Sequence, residues 1–503
     1  MLKIIIGILL TSFAAALLVL HIKIASLNID APLNDKHGFR QCQTAISIYY
    51  YLKDGAKIIY ETPVLGPPWT IPFEFPTYQY IVYKLIGITD YPIEKAGRMV
   101  NIAFFFMSIC VVVFTMYLSG CNFYVILFTV ISILSFCTYM FWNRTLLIEN
   151  TALFFSVAFI CCLILYDQYT KLIYLILALI CGVLASLTKV TTFILYDAAV
   201  VMALAVKILP LKKINISIII NAIKQNYWYM ICITIPILIG AMWVKISDYH
   251  KSLSYGGKYL VSAALSQWNY GLFESRFILS YWSIYFPAQS NNSILIAYIL
   301  LIMNILYNHK YRIQCLILII SYFMGPVVFL NLYFHHDYYW AANTLILAVA
   351  MAFTLYSMYM HHNIYIKYAS IVLLIGWSAF QGYMYKVQYF DIQRYSNTMY
   401  YQSGNEMSKI IPENECALLL VDGWSSELPY YLKRKTYNLD KSIFEYTTSH
   451  TRAILDSMYA SDTKYLILRV PYESKLMQKI NDLYANNTQI LYKNTNFELY
   501  KIK

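Results

Sequence analysis

Residues 172–188, LIYLILALICGVLASLT, and residues 190–206, VTTFILYDAAVVMALAV, form two apolar runs separated by a single lysine, Lys189. Each run is close to the roughly 20 residues that an α-helix needs to cross the hydrocarbon core of a bilayer. Each therefore predicts a membrane span, with Lys189 in a short turn between the two.

Similar runs recur along the chain. Only 13% of the 503 residues are charged, about half of the roughly 25% that is typical of soluble globular proteins, and the mean hydropathy is +0.53. The sequence therefore predicts a polytopic α-helical membrane protein with about 11 transmembrane helices. We expect them at residues 4–26, 99–118, 123–142, 151–166, 172–188, 190–206, 227–245, 294–307, 313–332, 341–360 and 368–385.

The basic residues predict the orientation of the chain. A cytoplasmic N-terminus leaves few cations in the short outer turns, chiefly Arg144 and Lys189, as the positive-inside rule requires. The cations on the cytoplasmic side are then Lys3, Lys171, Lys207, Lys212, Lys213, Lys224, Lys310, Arg312 and Lys367. The net charge of +12 therefore reflects topology, and we expect no nucleic-acid partner. With an odd number of spans, the loops 27–98 and 246–293, the turn near His335 and the C-terminal tail share the outer face.

The C-terminal tail differs in composition from the rest of the chain. It has mixed charge and alternates β-like runs at 417–421, 465–470, 489–492 and 497–502 with helical stretches near 449–460 and 473–486. At roughly 115 residues it is long enough to bury a core of its own. We predict two domains: a transmembrane domain over 1–385, including the first outer loop, and a small α/β extracytoplasmic domain over 386–503.

The first outer loop carries a polar cluster. Residues 37–52 predict a helix in the membrane plane, with Arg40, Gln43, Thr44 and Ser47 on one face. Arg, Gln and Thr suit phosphate or hydroxyl groups, although a polar stripe that simply faces water is the alternative. Just upstream, Asp35 could act as a general base or cap the helix.

The segment 60–80, YETPVLGPPWTIPFEFPTYQY, contains five prolines and one glycine. This composition predicts a re-entrant or surface loop backed by protein. Glu74 stands between Phe73 and Phe75, an apolar setting that favours a raised pKa or a fixed partner such as Arg98.

A third polar group lies at the outer end of a predicted span. His335, His336, Asp337, Tyr338 and Tyr339 follow one another, and this density favours a functional site over isolated interfacial residues. His336 could donate a proton to a leaving phosphate. The group could also bind a divalent cation, but a metal site would need more carboxylates, so we assign no metal and no other cofactor.

These segments together resemble a known family. FRQCQTA (39–45), the 60–80 segment, GR (97–98), HHDYYWAAN (335–343) and, more loosely, DGWSSELPYYLKRK (422–435) resemble the GT-C membrane glycosyltransferases. Within that family, the motifs resemble the bacterial branch that is related to protein O-mannosyltransferases and to the aminoarabinose transferase of lipid A.

The resemblance implies an enzyme that transfers a sugar from a polyprenyl-phosphate carrier on the outer side of the inner membrane. The acceptor would be a cell-envelope glycan or glycolipid, such as lipopolysaccharide or O-antigen; the alternatives are a protein O-glycosyltransferase and a lipid-linked glycan ligase or polymerase. A ligase would be expected to have a larger late outer loop, and a transporter would show internal pseudo-symmetry. The expected partners are therefore the lipid-linked donor, the acceptor and the bilayer.

The family also implies roles for individual residues. An acidic residue of the first loop serves as base, and Asp35 is the nearest match by position. The aminoarabinose branch reads Asp-Glu-x-Arg, so His37 takes the place of the acid when counted from Arg40, and the base stays open between Asp35, His37 and Glu74. That branch has a lysine where this chain has Phe75, so Arg40, His335, His336 or Lys189 would neutralise the donor phosphate. The expected donor- or acceptor-binding residues are Arg40, Gln43, Thr44, Tyr78, Gln79, Arg98, His335, His336, Asp337, Tyr338 and Tyr339.

Overall fold

The computed structural model describes residues 2–208, 220, 224–420, 423–445, 447–484 and 487–502. Some positions named in the sequence analysis lie outside the described residues, namely Lys212, Lys213, Val421, Asp422, Ala485 and Asn486.

Most of the described chain is α-helical. The helices of its first half are α1 (Leu2–Ser26), α2 (Gly38–Asp54), α3 (Thr77–Thr89), α4 (Ile93–Leu118), α5 (Phe123–Ser135), α6 (Cys137–Trp142), α7 (Glu149–Tyr169), α8 (Leu172–Ile208) and α9 (Tyr227–Ser252). The later helices are α10 (Ser266–Tyr270), α11 (Phe286–Gln289), α12 (Ser293–Tyr307), α13 (Arg312–Val328), α14 (Leu330–His335), α15 (Trp340–Tyr359), α16 (Ile364–Tyr385), α17 (Asp391–Arg394), α18 (Met399–Ser408), α19 (Glu427–Leu432), α20 (Thr448–Ser457) and α21 (Ser474–Leu483).

The tail forms one mixed sheet. Its strands are β1 (Ala417–Leu420), β2 (Thr436–Leu439), β3 (Tyr465–Arg469), β4 (Thr488–Lys493) and β5 (Phe497–Ile502), in the order β2-β1-β3-β5-β4. Strand β1 pairs in parallel with β2 and β3, whereas β5 is antiparallel to β3 and β4. The four predicted β runs and both predicted helices are present, which confirms the small C-terminal α/β domain.

The chain folds into two compact units, each assembled from separate stretches of sequence. The first unit comprises Met1–Ile29, Arg98–Met242 and Ser266–Asp391, and the second comprises Asp30–Gly97, Trp243–Leu265 and Ile392–Lys503. The second unit thus contains most of the first loop (27–98) together with the tail. The division into domains at residue 385 stays a prediction.

The first unit contains most of the long apolar helices. Among the described residues, seven helices are long and apolar enough to cross a membrane, or eight if the bent pair Tyr281–Gln289 and Ser293–Tyr307 is one span. Every predicted span contains helix in the structure. Large apolar side chains such as Ile8, Phe114 and Val372 are exposed on these helices, as expected of surfaces that face lipid. The chain is a multi-pass membrane protein.

Helix α8 consists of two antiparallel segments that meet at Lys189. Lys189 has non-helical angles, φ −163° and ψ 94°, and it forms an ion pair with Glu149, the first residue of α7. Further along α8, Lys207 forms an ion pair with Asp167, near the end of α7. A straight helix of 37 residues would extend about 55 Å and could not meet α7 at both ends. The chain therefore reverses at Lys189, which gives the two spans that the apolar runs predict.

The second unit joins the first loop to the sheet through backbone hydrogen bonds. The amides of Thr436 and Asn438 donate to the carbonyls of Pro63 and Val64, at 3.0 and 2.9 Å. Residues 63–64 therefore lie beside β2, and Leu65 forms an isolated antiparallel bridge with Tyr437. The proline-rich segment has no regular secondary structure before α3. It is backed by protein, as its composition predicts.

The start of α2 packs closely against the tail. A Cβ added to Gly38 would lie 2.7 Å from Oε1 of Glu427 and 2.7 Å from the carbonyl oxygen of Leu33. The amide of Leu33 in turn donates to the hydroxyl of Tyr431 at 2.6 Å. Only glycine allows these groups to approach the first turn of α2 so closely.

We therefore predict that Gly38→Ala destabilises the protein. The added methyl group must displace a backbone carbonyl, and overpacking of this kind costs about 1–3 kcal/mol. The matched control is Gly87→Ala in α3 of the same unit, where a Cβ would meet nothing within 4 Å. Thermal unfolding of the purified protein in detergent should show a lower midpoint for Gly38→Ala only, and equal midpoints for the two variants would contradict the prediction.

Candidate functional site

Two of the proposed bases, Asp35 and His37, lie just before α2. His37 is the N-cap residue, has left-handed angles (φ 54°, ψ 42°) and makes no side-chain cap. The interpretation of Asp35 as the helix cap is therefore wrong. Instead, the carboxylate of Asp35 accepts a hydrogen bond from the side-chain amide of Gln41, which fixes this acid beside the helix.

Arg40 and Glu74 form an ion pair. Glu74 therefore has a fixed partner, as its apolar setting predicts, but the partner is Arg40 and not Arg98. Arg40 also donates from Nη1 to Oε1 of Gln43 at 2.6 Å, and its guanidinium lies 5.7 Å from the centroid of the Phe73 ring. The relative exposures of the Arg40 and Glu74 side chains are 13% and 24%, so water screens this pair only partly.

The polar stripe of α2 is buried. Gln43, Thr44 and Ser47 have relative exposures of 4%, 7% and 1%, and the Ser47 hydroxyl lies 3.3 Å from that of Thr62. The alternative that this stripe simply faces water is therefore wrong, because these groups bond within the protein. The placement of α2 in the plane of the membrane stays a prediction.

Helix α3 carries the two remaining predicted binding residues of the second unit, Tyr78 and Gln79. Tyr78 and Gln79 are buried, and the hydroxyl of Tyr78 donates to the carbonyl of Gly97 at 2.8 Å. This bond ties α3 to the end of the first loop.

The histidine motif lies in the first unit. His335 ends α14, and Asp337, Tyr338 and Tyr339 form a single 3₁₀ turn before α15. The His335 ring stacks on Trp268 with centroids 4.8 Å apart, and burial lowers the pKa of His335. Asp337 accepts a hydrogen bond from the Tyr389 hydroxyl at 3.2 Å.

A buried ion pair adjoins the two tyrosines of this motif. The distance between Nζ of Lys189 and Oε1 of Glu149 is 2.5 Å, and the two side chains are 4% and 3% exposed. The same ammonium lies 4.0 Å from the centroid of the Tyr339 ring and 5.3 Å from that of Tyr338. In the sequence, Lys189 is one of several candidates for binding the phosphate, and Glu149 is not among the predicted site residues. One feature of the sequence could have identified Glu149: it is an ionisable residue at the start of an apolar helix. In a membrane protein such a residue is a functional candidate by default.

Two buried arginines of the first unit bind the backbone just after the end of α1. Arg98 donates to the carbonyl of Ile29 and Arg144 to that of Asn28, both at 2.9 Å. Arg98 was predicted to bind the donor or the acceptor, and the structure shows that it also holds the backbone at Ile29. Within the described part of the chain, no group of three or more His, Cys, Asp or Glu side chains could hold a metal ion.

No protein-family model matches the sequence, and no curated protein matches it. Solved structures do. The chain is similar to ArnT from Cupriavidus metallidurans bound to undecaprenyl phosphate, with a TM-score of 0.56, 10% identity and 97% of both chains covered. It is also similar to the oligosaccharyltransferase AglB from Archaeoglobus fulgidus in complex with an inhibitory peptide and a dolichol-phosphate, with a TM-score of 0.58, 10% identity, and 98% of this chain and 74% of that chain covered.

The chain has the GT-C fold. A third similar structure with this fold, the arabinofuranosyltransferase AftD from Mycobacteria, has a TM-score of 0.54 and 12% identity, and the match covers 98% of this chain but only 40% of AftD. The GT-C resemblance of the sequence motifs is thereby confirmed at the level of the fold.

The buried pair in this GT-C fold makes a testable prediction about stability. Lys189→Met leaves the buried carboxylate of Glu149 without its ammonium partner and should cost about 3–5 kcal/mol. Glu149→Leu removes the carboxylate from Lys189, whose ammonium still lies beside the Tyr339 ring, and should also destabilise the protein. The double variant removes both charges and should lie closer to the wild type.

Thermal unfolding in detergent measures the melting midpoints of the two single variants and the double variant. Lys207→Met is the matched control, because its ion pair with Asp167 is 56% exposed on both sides and such surface pairs contribute about 0–1 kcal/mol. If the effects of the two single variants added fully in the double variant, the two charges would not be coupled.

Proposed function

We propose that this chain is a membrane glycosyltransferase that moves a sugar from a polyprenyl-phosphate carrier to a glycan or glycolipid of the cell envelope. We further propose that the reaction takes place on the outer face of the inner membrane. The observation that carries the proposal is the buried polar group at the start of α2, where Asp35 bonds Gln41 and Arg40 pairs with Glu74. The GT-C fold supports it, and so do the carriers present in two similar structures, undecaprenyl phosphate and a dolichol-phosphate.

The chemistry of the transfer requires a base and a cation. A base removes the proton from an acceptor hydroxyl, that oxygen attacks the anomeric carbon of the donor sugar, and the bond from this carbon to the phosphate oxygen breaks. The phosphate leaves with the bonding electrons, so positive groups stabilise the charge that develops on it. The donor stays on its lipid, and the protein therefore needs no nucleotide-binding loop.

We assign the role of base to Asp35. It is the first-loop acid nearest in position to the base of the GT-C glycosyltransferases, and the side-chain amide of Gln41 holds its carboxylate beside α2. Glu74, in contrast, is paired with Arg40. We propose that Glu74 orients Arg40 and that Gln43 and Thr44 contact sugar hydroxyls. His37 is the alternative base, since it directly precedes α2.

We assign donor binding to the first unit, which contains the apolar helices that a polyprenyl chain can contact. Lys189 and His336 would meet the donor phosphate. The rings of Tyr338 and Tyr339 lie beside Lys189 and keep its ammonium in place. We propose that Arg98, His335 and Asp337 also belong to this donor site.

We predict that Asp35→Asn lowers the transfer rate by about 10²–10⁴-fold, the usual contribution of a general base, without changing the melting midpoint. Arg40→Ala should lower transfer as well, because it removes the partner of Glu74. The assay uses the purified protein in vesicles with a radiolabelled polyprenyl-phosphate sugar and envelope lipids extracted from the host.

The controls are Asp54→Asn and Lys53→Ala, two exposed positions at the end of the same helix α2. Both should transfer at the wild-type rate. Transfer at the wild-type rate by Asp35→Asn would show that Asp35 is not the base. If Arg40→Ala also transferred at the wild-type rate, the polar group at the start of α2 would not be the active site.

The fate of the radiolabel identifies the acceptor class. Label in a glycolipid or envelope glycan supports the proposal, whereas label in protein would make the chain a protein O-glycosyltransferase. Transfer of whole lipid-linked glycans instead of single sugars would identify a ligase or polymerase.

A further inference from the structure

The second unit contains a pocket that the reaction described above does not use. Its volume is about 350 Å³, and it lies between the first turn of α2, the loop before α19 and the end of β3. Its lining includes the side chains of Phe39, Tyr400, Trp424, Ser425, Glu427 and Arg469. The volume falls within the range of roughly 300–1,000 Å³ that is usual for small-molecule sites.

The topology of the sheet favours a binding site at this position. Strand β1 is followed by β2 on one side and has β3 on its other side, all three being parallel. In parallel sheets, ligands bind outside the carboxyl ends of the strands where the chain order changes direction in this way. The pocket lies at the carboxyl ends of β1 and β3, since Leu419 and Arg469 both contribute to it.

The aromatic wall of the pocket is held in a fixed orientation. Gly423 has a φ of +70°, a turn conformation that favours glycine, and it presents Trp424 to the pocket. The ring of Trp424 stacks on Phe73 with centroids 5.4 Å apart and an interplanar angle of 22°. Phe39 meets Trp424 edge to face at 6.2 Å. The indole is therefore a rigid, half-buried surface.

Charged and polar groups face the same space. The hydroxyl of Ser425 donates to Oε2 of Glu427 at 3.1 Å, and the amide of Asn438 holds the loop through the carbonyl of Ser425 at 2.7 Å. Burial raises the pKa of Glu427, while the Ser425 hydrogen bond and the charge of Arg469 act in the opposite direction. A carboxyl group and a guanidinium thus stand within electrostatic range of each other beside the indole.

This combination fits one class of ligand. A pyranose ring has an apolar face of C–H groups, which an indole can cover, and a rim of hydroxyls that both donate and accept hydrogen bonds. Carboxylates accept such bonds, whereas guanidinium groups donate them in a fixed planar arrangement.

The pocket also adjoins the proposed catalytic group within the second unit. Phe39 directly precedes Arg40, and Phe73 directly precedes Glu74, the partner of Arg40. The ring of Phe73 contacts the guanidinium of Arg40 and the indole of Trp424. A sugar stacked on the other face of Trp424 is therefore separated from the Arg40–Glu74 pair by two stacked aromatic rings, those of Trp424 and Phe73.

We propose that this pocket binds a pyranose unit of the acceptor glycan and positions the acceptor hydroxyl for transfer. The assignment of the ligand as acceptor rests on the proposed function, whereas sugar binding by the pocket does not. Trp424 supplies the stacking surface, and Glu427 and Arg469 bind the ring hydroxyls.

Direct binding is measured by saturation-transfer-difference NMR on the full chain in detergent, with methyl α-D-mannopyranoside, methyl β-D-galactopyranoside and methyl N-acetyl-β-D-glucosaminide as probes. We expect at least one probe to bind, with affinity reduced tenfold or more by Trp424→Ala and by Arg469→Ala. Trp424→Phe keeps a ring and should retain part of the affinity. Arg469 is exposed at the end of β3, so its variant also tests the pocket if Trp424→Ala fails to fold.

Lys464→Ala and Trp228→Ala are the matched controls. Lys464 is an exposed residue just before the start of β3 and pairs with Glu415, and Trp228 is exposed near the start of α9. Both variants should bind the probes as the wild type does.

The vesicle assay supplies an independent measurement. Trp424→Ala and Arg469→Ala should raise the KM for the acceptor at least tenfold and leave the KM for the lipid-linked donor unchanged. A loss of melting temperature alone would not produce this split between the two substrates.

Two results would overturn the proposal that the pocket binds a sugar. One is that no probe binds to the wild type, and the other is that the wild type, Trp424→Ala and Arg469→Ala bind the probes equally. Probe binding that depends on Trp424, in a protein without transferase activity, would support the sugar pocket and overturn the proposed function. Normal transfer with an unchanged acceptor KM in both variants would overturn the acceptor role.

Discussion

The ion pair of Lys189 and Glu149 fixes the point at which the chain reverses between two apolar segments. Both side chains are almost completely buried, and the attraction between the two charges offsets their desolvation, which costs several kcal/mol for each ion. Lys189 also interrupts the helix, so the pair holds the turn at the start of α7. The arrangement of α7 with both segments of α8, and the place of Tyr338 and Tyr339 beside the lysine, depend on it.

The second unit follows the same principle of balanced charge. Arg40 is paired with Glu74, and Lys435 with Glu61 at 2.5 Å. The first pair joins α2 to the proline-rich segment within the first loop, and the second joins that segment to Lys435, just before the strand β2. The loop is long and irregular, yet these contacts and the bonds to β2 hold it in one conformation. A loop fixed in this way can carry the precise side-chain geometry that a transfer reaction requires.

The sequence predicted those features that depend on local composition. Apolar runs of sufficient length predicted the helices, and α2 begins within one residue of its predicted start. The strand β2 was missed because Thr436 and Asn438 are polar, although both are buried in the structure. They tolerate burial because their side chains bond each other at 2.8 Å and their backbone pairs with neighbours on either side, a condition that no local pattern reveals. The partner of Glu74 was likewise chosen by the fold, since Arg40 and Arg98 were equally available in the sequence.

By itself, the sequence determined that this chain is a multi-pass membrane protein with a small α/β tail and a polar cluster in its first loop. These properties follow from hydrophobic length and periodicity, which act over one or two turns of the chain. Only the tertiary structure decided which charges pair. It also brings Glu427 against Gly38 in the first turn of α2 and places Trp424, Glu427 and Arg469 in one pocket. These residues are far apart in the sequence, and their interactions exist only once long-range packing has brought them together.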